Sequence, residues 1–129
     1  MIIPTSIKVN GVSGGGSYYP ESVVKEAIDD FNNNLKVRKS EGGLINRKHI
    51  QITDEVTHIT KKLFIEDGRL YADIELLDNR HADDIRSKIK GGYSVIARPV
   101  MAVPSYVLDD PSKIISDITK IMKVQLEIQ

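Results

Sequence analysis

A charged segment ends at the glycine pair Gly91-Gly92, and Ser94 follows at the head of an apolar run, Val95-Ile96-Ala97-Arg98-Pro99-Val100. If this chain does chemistry, the Ser94 hydroxyl is the candidate nucleophile, and the chemistry would be acyl transfer. A bare hydroxyl is a poor nucleophile near neutral pH. It needs a base within hydrogen-bond reach, the base needs an orienting partner, and the developing oxyanion needs fixed donors. The chain holds three histidines, His49, His58 and His81. They are far apart in sequence and none forms a metal-type pair, so neither a metal nor any other cofactor is expected. No cysteine is present, which excludes disulfides, thiolate zinc sites and a cysteine nucleophile.

Each of these residues also has a plain structural reading. Ser94 is a small residue after a Gly-Gly turn. His49, between Lys48 and Ile50, reads as a solvated loop or strand-edge side chain, and His58 as a cross-strand histidine. His81, beside Arg80 at a helix start, is expected to be exposed and has no assigned role. Asp109-Asp110 precedes Pro111 and reads as a turn rather than a carboxylate pair. Asp83-Asp84 complements a helix dipole. The loop GVSGGGS has no lysine at Walker spacing and no GxGxxG, so it is not a phosphate cradle.

The elements that must position these groups follow from periodicity. Residues 6–10 read as a short strand with Ile7 and Val9 on one face. Residues 20–35 read as a helix, with Val23, Val24, Ala27, Ile28, Phe31 and Leu35 on one side and Pro20 in the first turn. Residues 36–48 read as loop. Residues 56–65, the turn Glu66-Asp67-Gly68 and the alternating run Leu70, Ala72, Ile74, Leu76 form a β-hairpin. Residues 79–90 read as a second helix that ends at Gly91, a glycine suited to the left-handed region. Residues 94–103 read as a buried strand, where Pro99 implies an edge or a bulge. After a turn region and a short helical or irregular piece, Met122, Val124, Leu126 and Ile128 alternate as a closing strand. The expected class is α+β: a single domain over residues 1–129, with a small curled antiparallel sheet or barrel and two or three flanking helices.

Bulk properties fit one globular domain. The 129 residues are 40% hydrophobic and 28% charged. Eighteen basic residues balance eighteen acidic ones. Zero net charge argues against nonspecific nucleic-acid binding and favours self-association. No run is long enough for a membrane helix, and the N-terminus lacks the basic start and apolar middle of a signal peptide, so the expected location is the cytoplasm.

The order of these pieces resembles the prohead (capsid maturation) serine proteases of bacteriophages, in the group with the herpesvirus assemblin-like fold. Four places carry the resemblance. Ser17-Tyr18-Tyr19-Pro20-Glu21-Ser22-Val23-Val24 opens the first helix as the family's Tyr-Pro helix opens. Val56-Thr57-His58-Ile59-Thr60-Lys61-Lys62-Leu63 and Glu66-Asp67-Gly68-Arg69-Leu70-Tyr71-Ala72 resemble its hairpin. The helix ending at Gly91-Gly92 precedes the serine as it does there. Gly92-Tyr93-Ser94-Val95-Ile96-Ala97-Arg98-Pro99-Val100 resembles its nucleophile strand.

The resemblance implies an endopeptidase that cleaves phage scaffold and major capsid proteins inside the assembling prohead, in the host cytoplasm. It implies Ser94 as nucleophile and Arg98 as a residue fixing an oxyanion-stabilising loop; with the loop shifted by three residues from the motif's histidine position, His49 is the candidate general base, and His58 the candidate second histidine orienting it. Two motif positions depart from the pattern. Gly42-Gly43-Leu44-Ile45-Asn46 has asparagine where the family's Gly-Glu-Leu-x-His motif has histidine, and Ile96 replaces a glycine near the nucleophile. No acid stands out as a third member; the closing strand shows Lys120 and Lys123 where one is sought. These departures support an alternative: a catalytically inactive, protease-fold component of a phage head or scaffold. A small binding module unrelated to phages is a third reading.

Overall fold

The structure is a computed structural model that describes residues 1–11, 17–36, 43–45, 51–53, 55–101, 106–107 and 120–129. Among these, nine strands and two long helices follow in the order β1 (Ile2–Lys8), β2 (Ser17–Tyr18), α1 (Glu21–Asn33), β3 (Leu44–Ile45), β4 (Gln51–Thr53), β5 (His58–Glu66), β6 (Arg69–Leu76), α2 (Arg80–Lys90), β7 (Val95–Met101), β8 (Tyr106–Val107) and β9 (Ile121–Ile128). Seven strands form one sheet in the order β4-β3-β9-β7-β1-β6-β5, and β2 pairs with β8. The class is α+β, as expected, and the sheet curls into a half-barrel. The sheet is mixed rather than purely antiparallel: β1 runs parallel to β7, and β3 parallel to β9.

The hairpin forms where its turn chemistry requires. Asp67 and Gly68 both have positive φ, at 50° and 72°, and Glu66 pairs with Arg69 across them. A two-residue turn of this kind matches the twist of the strands it joins. Period-two alternation then sets the inside of the curl. Ile3, Thr5 and Ile7 of β1, Leu70, Ala72 and Ile74 of β6, Val95 and Ala97 of β7, and Val124, Leu126 and Ile128 of β9 are all buried. On β9 the alternation breaks at its start. Ile121 is buried and Met122 exposed, because the register with β7 shifts between Val100 and Met101.

Pro99 is not on an edge strand, because β7 lies between β9 and β1. The bond from the Gln129 N–H to the Ser94 carbonyl fixes which neighbour its missing N–H would have faced. That bond makes Ser94/Gln129 a hydrogen-bonded pair, so Ile96/Glu127 and Arg98/Gln125 are also hydrogen-bonded and Pro99/Val124 is not. The missing N–H of Pro99 therefore removes nothing from the β7–β9 ladder and falls on the side facing β1, where the parallel pairing is confined to Thr5↔Ala97.

Helix α1 covers the curl with Val24, Ala27, Ile28 and Phe31, packing on β5 and β9. Pro20 is its N-cap rather than its first-turn residue, and the Asn10 side chain accepts the Glu21 N–H at 2.8 Å. The last turn is tied to β5. The Asn32 amide donates to the Leu63 carbonyl at 3.0 Å and accepts the Leu63 N–H at 2.9 Å. One side chain thus supplies both hydrogen bonds that a neighbouring strand would make at Leu63 on the outer edge of β5. At the start of α2, Asn79 caps the Ala82 N–H at 2.9 Å and its amide reaches the Val56 carbonyl.

Candidate active site

Helix α2 ends in a turn that delivers Ser94. Gly91 does not take the expected left-handed conformation; its φ is −79° and its N–H closes on the Ser87 carbonyl. The left-handed residue is Gly92, at φ 91°, one position later. A Cβ on Gly92 would meet nothing within 4 Å, so its backbone angle, not crowding, demands glycine. The Tyr93 N–H returns to the Lys88 carbonyl, and the Lys88 ammonium lies 4.9 Å from the centre of the half-exposed Tyr93 ring. Ser94 then enters exposed, immediately before β7.

The pleat of β7 sorts its side chains. Val95 and Ala97 point into the half-barrel, so Ser94, Ile96 and Arg98 carry the outward phase. On β9 the register puts Gln125, opposite Arg98, and Glu127, opposite Ile96, on the same outer face. Glu127 is buried, with its side chain 10% exposed, and its Oε2 lies 3.8 Å from Nη1 of Arg98, whose side chain is 45% exposed. Glu127 escaped the sequence reading. The alternation of Val124, Leu126 and Ile128 placed it on the other face of the closing strand, but nothing local said which strand would lie alongside.

The structure does not bring His58 to Ser94. His58 is fully buried inside the half-barrel. Its Nε2 is 2.7 Å from the Val124 carbonyl oxygen, and its Nδ1 is 2.7 Å from Oγ1 of Thr57. A carbonyl can only accept, so Nε2 carries the proton and Nδ1 accepts from the Thr57 hydroxyl. Both ring nitrogens are thus engaged. Ser94 lies on the opposite face of the sheet, and Val124 is five residues along β9 from Gln129, its partner in register, or roughly 17 Å at strand rise. His58 is held as a strut, with both ring nitrogens engaged by Thr57 and Val124. By the phase of the β7–β9 ladder, the Val124 carbonyl faces away from β7, beyond Leu44↔Leu126 where β3 begins. His58 caps it from β5 and so joins the two ends of the curled five-strand run β9-β7-β1-β6-β5.

Burial holds the His58 pKa below its ordinary value of 6.5, against the opposing effect of its bond to the Val124 carbonyl. The native ring stays neutral at pH values where the unfolded chain is already protonated. Its contribution to stability is present in full above pH 6.5 and is lost as pH falls from there through the folded pKa. Urea titrations from pH 7 to pH 5 should show the unfolding free energy falling by up to about 1.4 kcal/mol per pH unit from this group. In His58→Gln that component of the slope should disappear; an unchanged slope would remove His58 as its source.

His49 and Asn46 lie outside the described residues. The residues that bracket them are described, and they are well anchored. The Gly43 carbonyl accepts the Leu126 N–H, and Leu44 and Ile45 run parallel to β9 opposite Leu126 and Glu127. Gln51 of β4 returns opposite Ile45. The chain therefore leaves Ile45 heading for the end of β9 that pairs with Ser94. Gly43 has φ 107°, and a Cβ on it would sit 2.6 Å from the Gln125 amide, so this approach to β9 requires glycine. His81 is not simply exposed: its Nε2 lies 3.2 Å from Oε2 of Glu55, and its side chain is 27% exposed. Among the described residues, no group of three or more histidine or acidic side chains could hold a metal ion, and no helix is long and apolar enough to cross a membrane.

No protein-family model matches this sequence, and no curated protein is similar to it. Among solved structures, the fold is similar to that of the bacteriophage T4 capsid assembly protease gp21, with a TM-score of 0.62 and 15% sequence identity over 95% of this chain and 78% of that one.

Proposed function

We propose that this chain is a serine endopeptidase of phage head maturation, cleaving scaffold and capsid proteins within the assembling prohead in the host cytoplasm, with Ser94 as nucleophile and His49 as general base. One observation carries the reading. In a fold similar to a capsid assembly protease, the exposed Ser94 stands at the same end of β9 toward which the His49-bearing connection departs from β3. Strands β3 and β7 flank β9 and so lie about 10 Å apart at sheet spacing, and the proposal has His49 act across that interval. In the reaction, the Ser94 oxygen bonds to the scissile carbonyl carbon as the imidazole takes its proton. The tetrahedral intermediate collapses, and the imidazole returns the proton to the departing amine. Water, activated by the same base, then releases the acyl group. Arg98 holds positive charge on the same outer face. His58 takes no part in these steps.

A second reading is favoured by one feature of that face. Ile96 places a branched side chain beside Ser94, where backbone approach by a substrate would favour glycine. On this reading the chain is a catalytically inactive component of the head or scaffold. A fluorophosphonate probe separates the two. The peptidase reading expects covalent labelling that vanishes in Ser94→Ala and falls by about a hundredfold or more in His49→Ala. Absence of labelling, together with stable incorporation into heads, would establish the second reading instead.

A further inference from the structure

We propose that Glu127 is a positioning residue of the Ser94 site that acts by holding Arg98; the inference rests on the peptidase reading above. Among the described residues Glu127 is the one buried carboxylate, and it is buried on the outer face of the sheet, away from the apolar core. A carboxylate withdrawn from water needs a compensating partner. Its position on the grid of the sheet is specific. It stands directly opposite Ile96, so Ser94 and Arg98 are its two diagonal neighbours on β7, each about 7–8 Å away by sheet geometry.

The direction taken by Arg98 is the second observation. Its register partner is Gln125, yet its Nη1 reaches back to Glu127, two positions nearer the Gln129 end of β9. The guanidinium thereby leans toward the end of β9 that pairs with Ser94, although 45% of the side chain stays exposed. Gln125 is taken up by the close pass of Gly43. A half-exposed arginine has large rotamer freedom, and a site that must stabilise developing negative charge gains from having its cation already in place. Glu127 supplies that constraint from a position that water scarcely reaches. Neither residue needs to touch the reacting atoms; Glu127 acts on Arg98, and Arg98 on the field beside Ser94.

The test is a double-mutant cycle on the rate of fluorophosphonate reaction with Ser94, using the full chain as Glu127→Gln, Arg98→Gln and the double variant, each shown by circular dichroism to be folded at the assay temperature. Each single change should slow the reaction about tenfold. The double variant should be no more than about twofold slower than the worse single variant, because both break one device. Glu127→Asp should recover part of the rate, a rescue that a purely structural ion pair would show in melting temperature but not in rate. If Glu127→Gln does not fold, Arg98→Lys, altered on the exposed side of the pair, carries the test with the same expected slowing. A wild-type rate in Glu127→Gln, or losses that multiply in the double variant, would overturn the proposal while leaving the peptidase intact. Failure of the wild-type chain to label at all would remove the peptidase reading and this inference with it.

Discussion

Replacing His58 with alanine is expected to lower the melting temperature by about 10–20 °C. Two groups lose their partners at once: the Val124 carbonyl, which β7 does not serve, and the Thr57 hydroxyl. Each buried polar group left unpaired costs about 1–3 kcal/mol, and the space vacated by the ring adds a cavity cost. A total of about 3–5 kcal/mol is a large share of what a domain of this size has to lose. The damage should also be local. His58 links β5 to β9 across the open side of the half-barrel, so hydrogen exchange should rise first around Val124 and at the start of β5. His58→Gln, which keeps a donor and an acceptor, should cost less than half as much. An alanine variant that melts within a few degrees of the parent would mean that the curl is held closed by apolar packing and that the histidine is incidental.

Phe31→Ala should destabilise by a similar amount, about 3–5 kcal/mol, for a different reason. Phe31 is fully buried on the face of α1 that packs on both β5 and β9. Truncation leaves a void at the place where helix and curled sheet meet, and interiors packed like solids relax only in part. Phe31→Leu fills most of that space and should cost about 1–2 kcal/mol. The pair should be read by denaturant titration at constant m-value. Equal midpoints for the alanine variant and the parent would show that α1 contributes coverage without anchorage.

Much of the architecture was legible because it rests on local rules. The Asp67-Gly68 turn, the alternation of β6, and the spacing of Val24, Ala27, Ile28 and Phe31 each specify an element without reference to the rest of the chain. What escaped depends on partners distant in sequence. The segment holding Leu44 and Ile45 reads as loop because two residues have no period; they are strand only because β9 lies beside them. Pro99 suggested an edge or a bulge; the strand is not an edge, and its register with β9 shifts one residue later, between Val100 and Met101, which only the partner strand reveals. The site divided in the same way. Ser94 is announced by the helix stop before it. Glu127 becomes visible only after β9 is laid against β7, and His58 looked available until the far strand claimed its second nitrogen.

The Asn32 amide that mimics a strand on the edge of β5 has a bearing on how the chain matures. Helix docking and edge protection are one event here. Until α1 seats, the N–H and C=O of Leu63 stand open, in a strand whose register with β6 already shifts between Thr60 and Lys62. A newly made chain therefore presents a template for strand addition for as long as the helix is late. Lys61 and Lys62 sit exposed just before that opening, placing positive charge at the spot where a second copy would have to pair. In a protein with no net charge to keep copies apart, this short basic pair and the Asn32 amide are, among the described residues, features of that edge that oppose strand addition.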